Sequence, residues 1–152
     1  MHGVLETTLQ KSNHWLEELT QDLHLRDHEE AYQALRATLH VLRDRLGSDQ
    51  AAHLGAQLPM LIRGLYYEGW KPAATPVLIR NLPAFYDAVR ATGGDVEVLR
   101  DTPRVVGGVL ALLGRHVTPG ELAKIAAVLP EELATLFQGA APAGMGVQSG
   151  RN

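Results

Sequence analysis

Apolar side chains recur along this chain every three or four residues, which is the spacing that places them on one face of an α-helix. The first such run predicts a helix of about 20 residues in the N-terminal segment. Its expected core-facing stripe consists of Leu5, Leu9, Ser12, Leu16, Leu19 and Leu23, with Trp15 beside it. No run alternates between apolar and polar residues over the length of a strand, so the pattern predicts an all-α fold.

The next apolar runs predict three further helices. The second begins with carboxylates in residues 27–30, which complement the helix dipole, and ends at Gly47. Its core stripe is Ala31, Leu35, Thr38, Leu39, Leu42 and Leu46. Ser48 is then expected to cap a short helix that reaches Gln57, and Pro59 to open a fourth helix, because proline is favourable in the first helical turn.

Prolines and glycines also mark helix ends in the second half of the chain. A helix is predicted to start at Thr75-Pro76, and another to start at Pro83 and stop at residues 93–94. A third is expected to open at residues 101–103. Its interior, residues 105–113, is apolar nearly all round, which predicts a central, buried helix.

Two glycines interrupt this apolar interior, and we expect Gly107 and Gly108 to permit the close approach of a neighbouring element. Residues 118–121 form a capping box with proline at the first helical position. Pro130 is expected to start the last helix. Residues 139–152 are rich in glycine and alanine and predict a flexible tail.

The second half of the chain repeats the pattern of the first. A shift of 71 residues places residues 34–66 on residues 105–137 without a gap. The identical pairs are Leu39/Leu110, Leu42/Leu113, Ala52/Ala123, Ala56/Ala127, Leu58/Leu129, Pro59/Pro130 and Leu65/Leu136. The repeat predicts one compact helical domain, residues 1–138, built from two similar halves (residues 4–70 and 75–138) by internal duplication. The helices that contain residues 34–46 and 105–113 are expected to form its centre.

Composition narrows the possible functions. Apolar residues make up 45% and charged residues 20% of the chain, as is usual for a globular domain. The net charge of −3 argues against a nucleic-acid partner, which requires a concentrated basic face. The absence of cysteine excludes disulfides and thiolate chemistry. Neither a signal peptide nor a run long enough to span a membrane is visible, so a cytoplasmic protein without membrane contact is predicted.

Residues 51–70 carry a resemblance to a known family. They combine an alanine-rich helix, the step Gln57-Leu58-Pro59 and the ending Arg63-Gly64-Leu65-Tyr66-Tyr67-Glu68-Gly69-Trp70. The chain resembles, from about Trp15 to Phe137, the bacterial family called domain of unknown function 2267. The second half matches less well, since Glu131, Glu132 and Ala134 stand where relatives often carry arginine. The resemblance implies a duplicated helical fold in a bacterial cytoplasm and no established reaction, ligand or catalytic residue.

The two halves differ most after their Leu-Pro steps, and this difference indicates a candidate binding surface. The first half continues into residues 63–70, here named the aromatic segment, whose candidate residues are Arg63, Tyr66, Tyr67, Glu68 and Trp70. Aromatic side chains beside an arginine are typical of protein or ligand contacts. In the alternative interpretation, Trp70 packs the loop between the halves and Arg63 pairs with a carboxylate such as Glu68.

Histidines supply further candidates. His53 and Gln57 lie one helical turn apart and are candidates for a pocket between the halves, while His40 with His53 suggests acid–base chemistry. His24 and His28 have the spacing of zinc ligands on a helix, although solvated histidines in a helix junction are more common. No residues complete a catalytic set, so we assign no catalytic residue, metal or cofactor.

Arginines give the second helix a basic flank, formed by Arg36, Arg43 and Arg45. It is expected to be a solvated face with ion pairs. The favoured function is a non-enzymatic interaction or regulatory module that binds a partner protein, or a second copy of itself, through the aromatic segment. A small-ligand binding protein with a pocket between the halves is the first alternative. An enzyme or metal protein that uses histidines is the second.

Overall fold

The computed structural model describes residues 3–140, and this part of the chain contains α-helices, two short 3-10 helices and no strand. The α-helices are α1 (Val4–Leu23), α2 (His28–Arg45), α3 (Ser48–Gly55), α4 (Met60–Tyr67), α5 (Leu82–Gly93), α6 (Thr102–His116), α7 (Pro119–Val128) and α8 (Glu131–Ala140). The 3-10 helices are Pro72–Ala74 and Glu97–Asp101. The predicted all-α fold is confirmed.

Helices α2 and α6 form the centre of the molecule. They contact each other, and each is surrounded by other helices: α1, α4 and α5 pack on α2, and α1, α5 and α8 pack on α6. The predicted core stripe of α2 is buried throughout. On α6 the buried residues are Thr102, Val105, Val106, Val109, Leu110, Leu112, Leu113 and Gly114. The prediction of two central helices is therefore confirmed.

The two halves of the chain interlock. Helix α1, from the first half, packs on α6, and α5, from the second half, packs on α2. Helices α3 and α7 also meet. Helices α3 and α7 begin 71 residues apart, at Ser48 and Pro119, and so do α4 and α8, at Met60 and Glu131. These starts agree with the spacing of the repeat, while the duplication itself stays a prediction.

Helix α1 is rotated relative to the prediction. Leu5 and Leu9 are exposed, at 75% and 50%, whereas Trp15 belongs to the core at 4%. The buried residues are Thr8, Ser12, Trp15, Leu19 and Leu23, which are also spaced by three and four. Periodicity permits both stripes. The observed rotation buries the indole of Trp15, which stacks on His116 of the second half, and leaves Leu5 and Leu9 at the surface.

Helix ends follow local chemistry in most places. The side chain of Thr118 accepts a hydrogen bond from the Glu121 amide, as the predicted capping box requires. Asn81 caps α5 in the same way, through the amide of Ala84. Gly94, at φ +79°, ends α5 as expected. Helix α8 continues through Ala140, so it includes the first two residues of the predicted tail; residues 141–152 lie outside the described residues.

The predicted helix starts at Ser48 and at Thr75-Pro76 are wrong, and Pro59, predicted as the first residue of α4, is instead its N-cap. Gly47 is the N-cap of α3, and Ser48 is its first helical residue. No helix follows Thr75-Pro76, whose peptide bond is cis. The chain is instead held along the end of α2. The amide of Val77 donates to the carbonyl of Asp44 (2.7 Å), and Nε of Arg45 donates to the carbonyl of Ile79 (2.8 Å).

In residues 3–140, no helix has both the length and the apolar character needed to cross a bilayer.

Candidate functional site

Arg63 of the aromatic segment is turned toward the protein. Its Nε donates to the carbonyl of Gly55 (2.9 Å) and its Nη2 to that of Leu58 (2.9 Å), with Ala56 at 3.4 Å. Carbonyls at the end of a helix have no partner within that helix. The guanidinium of Arg63 therefore satisfies the C-terminal end of α3 and the turn after it. It forms these bonds with carbonyls, not with the carboxylate of Glu68 that the alternative interpretation suggested.

The aromatic rings of the segment pack on α3. Tyr66 is fully buried, and its hydroxyl donates to the carbonyl of Ala51 (2.6 Å); burial raises the pKa of Tyr66 above its usual range. Tyr67 contacts Tyr66 on one side and Trp70 on the other, with ring centroids 5.0 and 5.1 Å away. A methyl group at Gly55 would collide with the Tyr67 ring. The rings thus stabilise the packing of α4 on α3.

The end of α4 is held by two side chains of α2. His40 Nε2 is 2.6 Å from the carbonyl oxygen of Leu65, and Arg43 Nη1 donates to the carbonyls of Tyr66 (2.7 Å) and Glu68 (2.8 Å). Burial lowers the pKa of His40, so its imidazole is neutral and Nε2–H donates. Arg43 is buried, and the prediction that it lies on a solvated face is wrong.

Of the five candidate residues in the aromatic segment, Glu68 is exposed, Tyr66 is buried and the other three are partly buried. Glu68 is exposed and lies 3.5 Å from Nε of Arg36. Trp70 is half-buried, and its indole Nε1 has no hydrogen-bond partner among the described residues. The polar groups of Arg63 and Tyr66 are already satisfied by main-chain carbonyls. His53 is exposed on α3.

The structure does not place His24 and His28 on one helix. His24 is the C-cap of α1 in the left-handed conformation, at φ +54°, and His28 is the first residue of α2. Nε2 of His28 is 2.7 Å from a carboxylate oxygen of Glu17. The helical spacing on which the zinc alternative depended is therefore absent. No cluster of three or more metal-ligating side chains occurs among residues 3–140.

A cleft lies where α1 of the first half meets α6 of the second. It has a volume of about 510 Å³, within the usual range of small-molecule sites. Helix α1 contributes Gln10, Lys11, His14 and Trp15, and the turn between α3 and α4 contributes residues 57–59. His116, at the end of α6, completes the lining. Gln57 is the one candidate from the sequence that lines this cleft.

Stacking and hydrogen bonds hold the rings of the cleft. The imidazole of His116 stacks on Trp15 at a centroid distance of 4.7 Å and an interplanar angle of 26°. Oε2 of Glu18 lies 2.7 Å from Nε2 of His14 and 3.0 Å from Nε2 of His116. Oε1 of the same carboxylate accepts from Nε of Arg115 (2.9 Å). These bonds join α1 to α6 beside the cleft.

The charge on Glu18 is stabilised by its donors. Burial opposes ionisation of this carboxyl, but the hydrogen bonds from Arg115 and His116 outweigh it and lower the pKa of Glu18. The carboxylate therefore stays ionised and keeps both imidazoles as hydrogen-bond donors through Nε2.

Gln57 forms the rim of the cleft and joins the halves. Its Oε1 accepts from the amide of Thr118 (2.9 Å), and its Nε2 donates to Oγ1 of the same threonine (3.2 Å). In a complete capping box the Glu121 side chain would bond that amide. Here Gln57 takes its place, and Oε2 of the buried Glu121 has no partner among the described residues.

A second cavity of about 370 Å³ shares Lys11, Leu58 and Pro59 with the first, so a groove continues along α1 to Val4 and Met60. The sequence did not identify Lys11, His14, Trp15 or His116 as candidates. Comparison of the halves offered one signal, because His116 stands 71 residues after Arg45. The contacts between α1 and α6 carry no local signal.

The family model described as uncharacterized conserved protein (DUF2267) matches residues 12–136. The chain belongs to this family. The match confirms the resemblance noted in residues 51–70. It extends from Ser12 on α1 to Leu136 on α8 and therefore includes most of the cleft of this DUF2267 domain. No curated protein matches the chain.

Proposed function

We propose that this DUF2267 domain is a binding protein, without catalytic activity, that takes a small organic ligand in the cleft between α1, the 57–59 turn and His116. The observation that carries the proposal is the cleft itself, which has the volume of a ligand site and draws its lining from both halves. The stacked pair Trp15–His116 offers a rigid apolar wall, and Gln10, an exposed residue of the lining, offers an amide. A ligand bound in the cleft would contact both halves and stabilise their association.

The contacts of the aromatic segment favour the cleft over this segment as the binding site. The guanidinium of Arg63 and the hydroxyl of Tyr66 donate hydrogen bonds to main-chain carbonyls of α3, so both side chains stabilise the fold. A partner protein would reach mainly Glu68 and the exposed part of Trp70. The cleft offers side chains that hold no such main-chain contacts, among them Gln10, Lys11 and His14.

A thermal-shift screen of metabolites tests the proposal. A ligand that binds the folded state alone stabilises it, by about 2.7 kcal/mol at a hundredfold excess over Kd, so the melting temperature should rise. Gln10→Trp fills the cleft from an exposed position and should abolish the rise. Asn13→Trp, exposed on the same helix outside the lining, is the matched control and should retain it. A screen without a stabilising compound, or equal binding by both variants, would count against the proposal.

A second candidate is a protein contact in the form of self-association, at exposed apolar residues of α1 and α4 that lie outside the aromatic segment predicted from the sequence. Exposed apolar side chains favour it: Val4, Leu5 and Leu9 on α1, and Met60 and Leu61 on α4. The amide of Leu61 donates to Thr8 (3.1 Å), so the two groups are neighbours. A surface of this kind can pair with its own copy about a two-fold axis.

Light scattering after size exclusion tests self-association. Wild type should form a dimer and Leu61→Lys a monomer, whereas Val128→Lys, a second exposed apolar residue on α7, should leave the dimer intact. A monomeric wild type at all accessible concentrations removes this candidate. The ligand proposal would be unaffected.

A further inference from the structure

The cleft and the groove that continues it are basic, although the chain as a whole is acidic. The protein carries a net charge of −3, from 17 acidic and 14 basic residues. Neither cavity has an aspartate or glutamate in its lining. Their charged lining residues are Lys11, shared by both, and Arg63 in the second.

Lys11 differs from the other cations near the cleft. The guanidinium of Arg63 is engaged with the carbonyls of Gly55 and Leu58, and Arg115 is paired with Glu18 and Asp22. Among residues 3–140, Lys11 has no carboxylate within ion-pair distance. Its ammonium is thus available to a ligand, at the point where the two cavities join.

We propose that the ligand of this cleft is an organic acid whose carboxylate pairs with Lys11 and whose flat apolar body lies against Pro59 and the edge of Trp15. This inference rests on the proposed ligand-binding function and adds the chemical class of the ligand. The lining supplies one unpaired ammonium and a mainly apolar wall, which together match one negative charge on an apolar body. A cationic ligand would meet Lys11 without a compensating carboxylate.

The histidines limit where the carboxylate binds. Nε2 of both imidazoles is occupied by Glu18, and that carboxylate would repel a second anion placed beside it. Lys11 lies one helical turn before His14 and Trp15 on α1, whereas Glu18 lies one turn after His14, so the ammonium of Lys11 is placed away from Glu18. The acid group therefore belongs at Lys11 and the apolar body toward Trp15.

Fluorescence titration tests the class of ligand. The chain has two tryptophans, so Trp70→Phe leaves Trp15 as the reporter in the cleft. Within residues 3–140 the indole N–H of Trp70 has no hydrogen-bond partner, and phenylalanine keeps a ring against Tyr67, so this background should fold. Benzoate is titrated against benzamide, a neutral molecule of the same shape. We expect benzoate to bind more tightly than benzamide, by up to about fivefold, which is the upper end for one exposed charge pair.

Lysine variants locate the charge. Lys11→Met should reduce benzoate affinity to that of benzamide, and Lys11→Arg should largely restore it. Lys71→Met, at an exposed lysine outside the lining, is the control and should bind as the parent does. Calorimetry on the chain with both tryptophans gives the same comparison without the Trp70→Phe background.

The outcomes separate this inference from the proposed function. Equal binding of benzoate and benzamide, or full benzoate binding by Lys11→Met, overturns the carboxylate inference while the cleft remains a ligand site. Binding of neither probe also overturns it. The proposed function then depends on the metabolite screen with Gln10→Trp, which makes no assumption about charge.

Discussion

Arg43 carries a guanidinium into the interior, where its side chain is 4% exposed. It donates to the carbonyls of Tyr66 and Glu68 and to the carboxylate of Asp44. Arg43→Met would leave these acceptors without a donor. The free energy of unfolding, measured by urea denaturation, should therefore fall by about 3 kcal/mol.

A neighbouring arginine provides the control for this change. Arg36 lies on the same helix, is 34% exposed and makes a single 3.5 Å contact with Glu68. Arg36→Met should lower stability by less than about 1 kcal/mol. Equal losses in the two variants would mean that burial of the Arg43 guanidinium contributes nothing beyond an exposed pair.

His40 should make stability depend on pH in the mildly acidic range. Burial lowers the pKa of His40 below its ordinary value of 6.5. The bond to Leu65 raises this pKa and the nearby charge of Arg43 lowers it further, but burial has the largest effect. Between the folded and the unfolded pKa, His40 is therefore protonated in the unfolded chain and neutral in the folded chain. The contribution of the neutral, buried imidazole to the free energy of unfolding is present above pH 6.5 and is lost as pH falls through the folded pKa.

Replacing His40 should remove this dependence. His40→Gln keeps a side-chain N–H donor for the Leu65 carbonyl but does not titrate, so the free energy of unfolding should vary less between about pH 7 and 5. His53→Gln, at an exposed histidine, should retain the wild-type slope. An unchanged slope in His40→Gln would show that the buried imidazole is not responsible.

At the scale of a single element, α6 contains two adjacent glycines in different surroundings. A methyl group at Gly108 would lie 2.7 Å from Cδ2 of Leu23 on α1. A methyl group at Gly107 would have no atom within 4 Å other than those of its chain neighbours and of the adjacent helix backbone. The sequence predicted a close approach at both, and the structure places it at Gly108. Gly107 permits no close approach, and its only effect is to make α6 less stable than alanine would at this position.

Alanine substitutions should therefore have opposite effects. Gly107→Ala should raise the free energy of unfolding by about 0.5–1 kcal/mol, because alanine loses less backbone entropy in a helix. Gly108→Ala should lower it by about 1 kcal/mol, because Leu23 must move. Thermal denaturation of both variants beside wild type measures the difference, and a shift of the same sign in both would contradict the assignment.

At the scale of the whole molecule, each half depends on the other for its core. Helix α1 covers α6, α5 covers α2, and Gln57 bonds Thr118 across the boundary. The full chain should therefore unfold in one transition, with the same urea midpoint by far-ultraviolet circular dichroism and by tryptophan fluorescence. A fragment of residues 1–75 should show no cooperative unfolding. Separate midpoints, or a folded fragment, would show that the halves are independent.

Local chemistry made most helices predictable. The stripe of α2, the cap that the Thr118 side chain forms with the Glu121 amide, and the glycine end of α5 each depend on residues within a few positions, which act in the same way wherever the helix lies. The start at Thr75-Pro76 was wrong because residues 77–79 bond to the end of α2, a contact with no signal in the local sequence.

The sequence by itself determined an all-helical chain with two central helices and membership in the DUF2267 family, since spacing, capping and motif are properties of neighbouring residues. Only the tertiary structure decided which face of α1 is buried and what the aromatic segment contacts. It also assembled the cleft. Trp15, Gln57 and His116 are far apart along the chain, and packing of α1 on α6 brings them together. Such contacts depend on competing burial energies across the whole core, which no local pattern records.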